Sequence, residues 1–263
     1  MTKLMSPIPI LALAVIVLVH GSNARSHHRA EDPVFKLETA LEFKGRVVSG
    51  TIRKSEIPTL LNLPVRNGDT DPEHKYGVEM TTSDNKKVTA FTCREWLRAR
   101  KRGEYSATTY DMAMESFLIH TCGLLYVLQG ARPPMRSYVT RATLADLNLL
   151  PAEMLASIPY NVPDRLRRMT VAQVVPSKNI EKVTAGELRL SYGGFQQWFS
   201  EAGRADFNGD GVEDIFVLTG AQAEGGTMGV AGYLVLTRTS SSEPLQLIEP
   251  NTDPLKGERE AMP

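Results

Sequence analysis

"ADFNGDGVEDIFVL", residues 205–218, carries the densest chemistry in the chain and sets how the rest is read. Oxygen-bearing side chains stand at alternate positions, Asp206, Asn208 and Asp210. Gly211 follows, then Asp214, then an apolar and partly β-branched run. Three carboxylates confined to one turn repel each other unless a cation offsets them. Calcium is a hard cation that takes six to eight oxygens, and alternate carboxylates in a tight loop can wrap it. Asp206, Asn208 and Asp210 then occupy loop positions 1, 3 and 5, and Gly211 permits the sharp turn. Val212 offers its backbone carbonyl, and Asp214 coordinates directly or through water. Phe207 and Glu213 are expected to point away. With no His or Cys in the loop, the donor set suits neither zinc nor copper.

The residues after the loop narrow its kind. An EF-hand places a bidentate Glu at position 12 and continues as a helix. Here position 12 is Val217, and "DIFVLTG" reads as a strand. The stretch resembles the calcium loop of FG-GAP and VCBS-type repeats, in which an aspartate-rich turn joins two strands of a propeller blade. That resemblance implies Ca²⁺ held by Asp206, Asn208, Asp210, the Val212 carbonyl and Asp214. The pattern occurs once, and one blade cannot close a propeller. A lone blade-like sheet must therefore bury its face against helices or the N-terminal strands. Without the position-12 Glu, affinity is expected to be modest unless a remote side chain completes the shell. Glu201 is the nearest candidate in sequence.

Outward from the loop, the N-terminus reads as an export signal. Lys3 precedes an apolar run from Ile8 to Val19, and Ser22-Asn23-Ala24 offers small residues at a cleavage site. The run is shorter than the ~20 residues a spanning helix needs. Residues 1–24 are thus expected to be a signal peptide, 25–33 a mobile arm, and 34–263 one domain, periplasmic or secreted, with no membrane span after cleavage. An oxidising compartment makes the two cysteines, Cys93 and Cys122, a disulfide by default. Closing that loop would stabilise the fold by about 3–4 kcal/mol in the chain-entropy view.

The periodicity assigns strands to 34–53 and a hairpin to "YGVEM" and "KVTAF". A helix is expected over 93–102, ending at Gly103. A second opens at Thr108-x-x-Asp111 and runs to Gly130, with Tyr110, Met114, Phe117, Leu118, Cys122, Leu125 and Leu128 as its apolar stripe. A short connection makes the two an antiparallel helix hairpin that brings Cys93 towards Cys122. Two short helical pieces fall in 142–158, and "VAQVV" (171–175) reads as a strand. From 170 to 250 the pattern is β. The expected class is therefore α+β: N-terminal strands and the hairpin over 34–160, then a C-terminal antiparallel sheet bearing one calcium loop.

The chain is 42% hydrophobic and 23% charged with zero formal net charge, which lacks the basic surplus that nucleic-acid binding needs. Glu115, Ser116 and His120 sit on one helix without an oxyanion hole or a nucleophile elbow, and read as helix-surface residues. Arg94, Arg98, Arg100, Lys101 and Arg102 read as a solvated face, and His27-His28 as part of the arm. No catalytic residue is assigned. The expected function is binding of a protein or glycan partner in the cell envelope. A calcium-supported envelope hydrolase and an inhibitor or immunity-type protein are the alternatives.

Overall fold

Strands dominate this chain, and the reason is legible in β-branched and aromatic runs broken by Gly, Asn and Asp. The computed structural model describes residues 32–65, 77–82, 84–106, 108–156, 164–226 and 229–252, all within one compact unit, Asp32–Pro263. The segments read as signal peptide and arm lie, through residue 31, outside the described residues. In chain order come β1 (Val34–Leu37), β2 (Leu41–Phe43), β3 (Arg46–Val48), β4 (Thr51–Arg53), α1 (Ile57–Leu60), β5 (Val78–Thr81), β6 (Lys87–Ala90) and α2 (Cys93–Lys101). Then follow α3 (Thr109–Leu118), a π turn (Ile119–Gly123), α4 (Leu124–Gly130), α5 (Val171–Val174), β7 (Ile180–Val183), β8 (Glu187–Tyr192), β9 (Phe195–Ala205), β10 (Asp214–Ala223), β11 (Gly229–Thr237) and β12 (Gln246–Ile248). Single 3₁₀ turns fill much of 143–168.

One antiparallel sheet of eight strands organises the unit, in the order β12-β11-β10-β9-β1-β4. The long β9 pairs β10 along one edge. Its other edge is shared, β8 taking residues 195–200 and β1 taking 203–204, and β7 adds to β8. The central β10 is buried on both faces from Asp214 to Ala221. Phe216 and Leu218 join Ala202, Tyr233 and Val235 in a core with Phe35, Trp96 and Leu124. Ile215 and Val217 join Phe199 and Leu236 in a second core with Leu144, Leu150 and Met154. A strand covered on both sides reads as a continuous apolar run rather than an alternating one, which accounts for "DIFVLTG".

The α+β expectation is overturned. Strand accounts for 38% and helix for 27%, and among the described residues there is no central antiparallel helix hairpin. The helices are short and pack singly. α2 closes on β6 and the π turn, α3 on β5 and β11, and α4 on α1 and β9. The expected second helix is divided by the π turn, and its stripe is incomplete: Leu118, Cys122, Leu125 and Leu128 are buried, but Phe117 is 51% exposed. Cys93 and Cys122 nonetheless meet at disulfide distance, fully buried, with Cα atoms 5.0 Å apart. The contact comes from the first residue of α2 reaching the π turn.

Capping chemistry decided two local outcomes. Thr92 accepts from the Glu95 amide (3.2 Å) while Glu95 accepts from the Thr92 amide (3.1 Å), which starts α2. "VAQVV" is α5 rather than a strand. Thr170 and Gln173 form a capping box there, the Gln173 side chain accepting from the Thr170 amide at 2.8 Å. That local bonding prevails over the β preference of three valines.

Candidate functional site

The turn between β9 and β10 is built by its own side chains. Asp206, 2% exposed, accepts from the amides of Gly209 (2.6 Å) and Gly211 (3.0 Å). Asn208 accepts from the Asp210 amide (3.0 Å) and donates to the Asp210 carboxylate (3.0 Å). Asp210 accepts from the Val212 amide (2.7 Å). Gly211 has φ +84°, a conformation that L side chains rarely adopt, and a Cβ there would lie 2.4 Å from the Met135 methyl. Phe207 turns out of the loop into the core, its ring 6.1 Å from that of Phe216, which stacks on Tyr233 at 4.7 Å. Glu213 also points away, accepting from Ser137 Oγ at 2.7 Å.

The main chain around the turn is clamped from outside. Arg132 and Asp206 exchange two backbone bonds of 2.9 Å. The amides of Met135 and Arg136 donate to the Gly211 carbonyl, and the Glu213 amide donates to the Arg136 carbonyl. From the C-terminal side, the Asn251 amide donates to the Phe207 carbonyl at 2.9 Å. The Val212 carbonyl accepts none of these bonds.

Asp214 is the exception within the turn. It is fully buried, and its Oδ2 accepts from the Phe207 amide at 2.8 Å. Its Oδ1 is buried with no hydrogen-bond partner. Burial pushes its pKa up to about 6, and the charges of Asp210 and Asp206 push the same way. The Thr237 hydroxyl and the Phe207 amide pull it down. Thr237, on β11, is 2% exposed; its hydroxyl lies close enough to Asp214 to lower that pKa, though the contact falls short of hydrogen-bond geometry. Among the described residues no three His, Cys, Asp or Glu side chains converge closely enough to hold a metal. Five aspartate oxygens of the turn instead face amide donors, and one faces none.

Glu201 does not serve this turn. Both its oxygens are taken by Arg204, at 2.5 Å from Nε and 3.0 Å from Nη2. Two residues three apart on a strand normally face opposite ways. Here the register shifts between Phe216 and Val217, with Ala202 as the extra residue, so Glu201 and Arg204 lie on one face, opposite Val217 and Ile215. Asp214 is on the other face.

Sequence reasoning also missed a buried polar knot. Glu115, expected at the surface, is 6% exposed. It accepts from Trp96 Nε1 (2.9 Å) and Ser106 Oγ (2.6 Å) and pairs with Arg100 (3.1 Å). Arg100 is therefore not part of a solvated face. The signal was present in the i, i+4 spacing of Trp96 and Arg100, which sets both on the inward side of α2. His120, in the π turn, is half-buried, its Nε2 is enclosed without a hydrogen-bond partner, and desolvation holds its pKa below the usual imidazole value. His27 and His28 lie outside the described residues. A cleft of about 390 Å³ beside β12 is lined by Glu153, Arg167, Arg168, Met169 and Leu247, and includes no residue of the turn. No described helix is long and apolar enough to cross a membrane.

Compared with family models, curated proteins and solved structures, the chain gives no match.

Proposed function

We propose that this is an exported protein that acts by binding a protein or glycan partner in the cell envelope, and that the β9–β10 turn holds one structural Ca²⁺ of the FG-GAP/VCBS-like kind. The observation that carries the cation reading is Asp214 Oδ1, a buried carboxylate oxygen with no donor in a turn that already holds two more carboxylates. An unpaired buried charge is costly, and a cation is the simplest remedy. The donors fit calcium because every candidate atom is a hard oxygen. Asp206, Asn208, Asp210, the Val212 carbonyl and Asp214 would hold it. The cation would offset the charges, and the turn would then fix the register with which β10 leaves β9.

Melting curves test this. A ligand that binds only the folded state raises stability by about 2.7 kcal/mol at a hundredfold excess over its dissociation constant. Calcium should raise the Tm of the wild type, and Asp210→Ala should abolish the rise. Identical curves in calcium and in chelator, with no heat of binding, would mean the turn is only a polar turn. Binding of the wild type, but not of Asp210→Ala, to an envelope glycan or protein array in calcium would support the interaction role.

A further inference from the structure

We propose that the cleft beside β12 receives an extended, acid-bearing peptide of a protein partner, which pairs along the outer edge of β12 and gives a carboxylate to Arg168. The inference rests on the binding reading above, takes its protein branch, and is independent of the calcium reading. The lining of the cleft comes chiefly from two short runs of chain, residues 167–170 and 244–247, and its volume of about 390 Å³ falls in the range of ligand pockets. β12 ends the sheet and pairs only β11 among the described strands. In an antiparallel pair, alternate residues turn their N–H and C=O to the partner strand and the others turn them outward. The Leu245 amide donates to the Leu149 carbonyl at 2.9 Å, outside the β11–β12 ladder. Leu247, two residues on, therefore turns its N–H and C=O the same way, and among the described residues nothing bonds to them there.

An outward N–H beside an outward C=O on one residue is matched by one residue of an incoming antiparallel strand, which supplies both bonds at once. Peptides added to a sheet edge in this way take their affinity from main-chain bonds and their specificity from side-chain contacts. Here the half-buried Met169 and Leu247 offer apolar contact to one side chain of the visitor. The charge of the cleft sets the sign of another. Arg167 and Arg168 stand in the lining against one acid, Glu153. Arg168 is exposed, and among the described residues it has no ion pair or hydrogen bond. A guanidinium takes a carboxylate through two parallel N–H···O bonds, so an Asp or Glu side chain or a free C-terminus fits it.

Selection from an array of random hexapeptides by the purified protein, followed by fluorescence anisotropy with the best peptides, tests this. Selected peptides should be rich in Asp or Glu and in β-branched residues. Arg168→Glu should weaken their binding at least about tenfold and leave the Tm unchanged, because Arg168 is exposed and unpaired. Leu247→Pro removes an outward amide, as edge strands allow, and should abolish binding. If that variant does not fold, N-methylation of the peptide amides one at a time gives the same answer: alternate positions should be sensitive and the intervening ones not. Selected peptides that bind both variants as they bind the wild type, or that show no alternation, would overturn the inference and leave the binding reading standing. A concentration-dependent dimer that Arg168→Glu dissolves would make a second copy the occupant and overturn it as well. Selection of no peptide would do the same and leave a glycan partner, and silence on a glycan array too would overturn the binding reading with it.

Discussion

Burial of single ionisable groups is where this fold is most sensitive. Desolvation in its site holds the His120 pKa below the usual imidazole value. The unfolded chain therefore takes up that proton at higher pH than the folded one. The resulting stabilisation is complete above about pH 6.5 and is lost as pH falls from there through the folded pKa. Asp214 acts in the opposite sense, since its raised pKa lets the folded state take the proton first. The two are separated by difference. His120→Gln should show a smaller loss of urea midpoint between pH 7.5 and 5.5 than the wild type. Equal slopes for both proteins would show that His120 does not titrate with folding. None of this was legible in the sequence, where His120 and Glu115 read as helix-surface residues. The burial of both is decided by what lies across from them, Trp96, Arg100 and Ser106 in the case of Glu115.

Among the elements, the β9–β10 pair carries the site, and its close packing is set by one glycine. Gly220 pairs Trp198 in register, and a Cβ at Gly220 would lie 1.8 Å from the indole ring. The ring occupies the position that a side chain would fill. Gly220→Ala should therefore destabilise by about 1–3 kcal/mol through forced displacement of Trp198. The readout is the urea midpoint, with indole fluorescence reporting the moved ring. An unchanged midpoint and spectrum would show that the ring has room to shift freely. The strand itself was readable, because "DIFVLTG" is too apolar and β-branched for anything else next to a Gly-rich turn. The bulge at Ala202 was not, and it alone sets Glu201 against Arg204 rather than towards the turn.

Over the whole molecule, the Cys93–Cys122 pair joins α2, packed on β6, to the π turn that lies against β11. Alkylation of the unfolded protein without reductant should label neither sulfur. Reduction should lower stability by about 3–4 kcal/mol on the chain-entropy view of a loop this long. Full labelling of both sulfurs without reductant would show that they are unbonded thiols. The expected helix hairpin is absent even though the cysteines it was meant to bring together do meet. Two helices of this length can be joined at one point without packing along each other; α3 lies on β5 and β11, and α4 on α1 and β9.

What the sequence determined by itself is what nine or ten neighbouring residues decide. The aspartate-rich turn, the strand after it, the inward Phe207 and the Thr108 helix start are of this kind, because their bonding partners are local. What only the tertiary structure decided is which face of which strand meets which neighbour. Asp214 stands opposite Thr237 one step beyond the Ile215–Leu236 pair, and Glu201 turns away through one extra residue on β9. The eight-stranded sheet prevails over the helices for the same reason. Strand pairing is a long-range choice made by the burial of both faces of β10, and no local propensity encodes it.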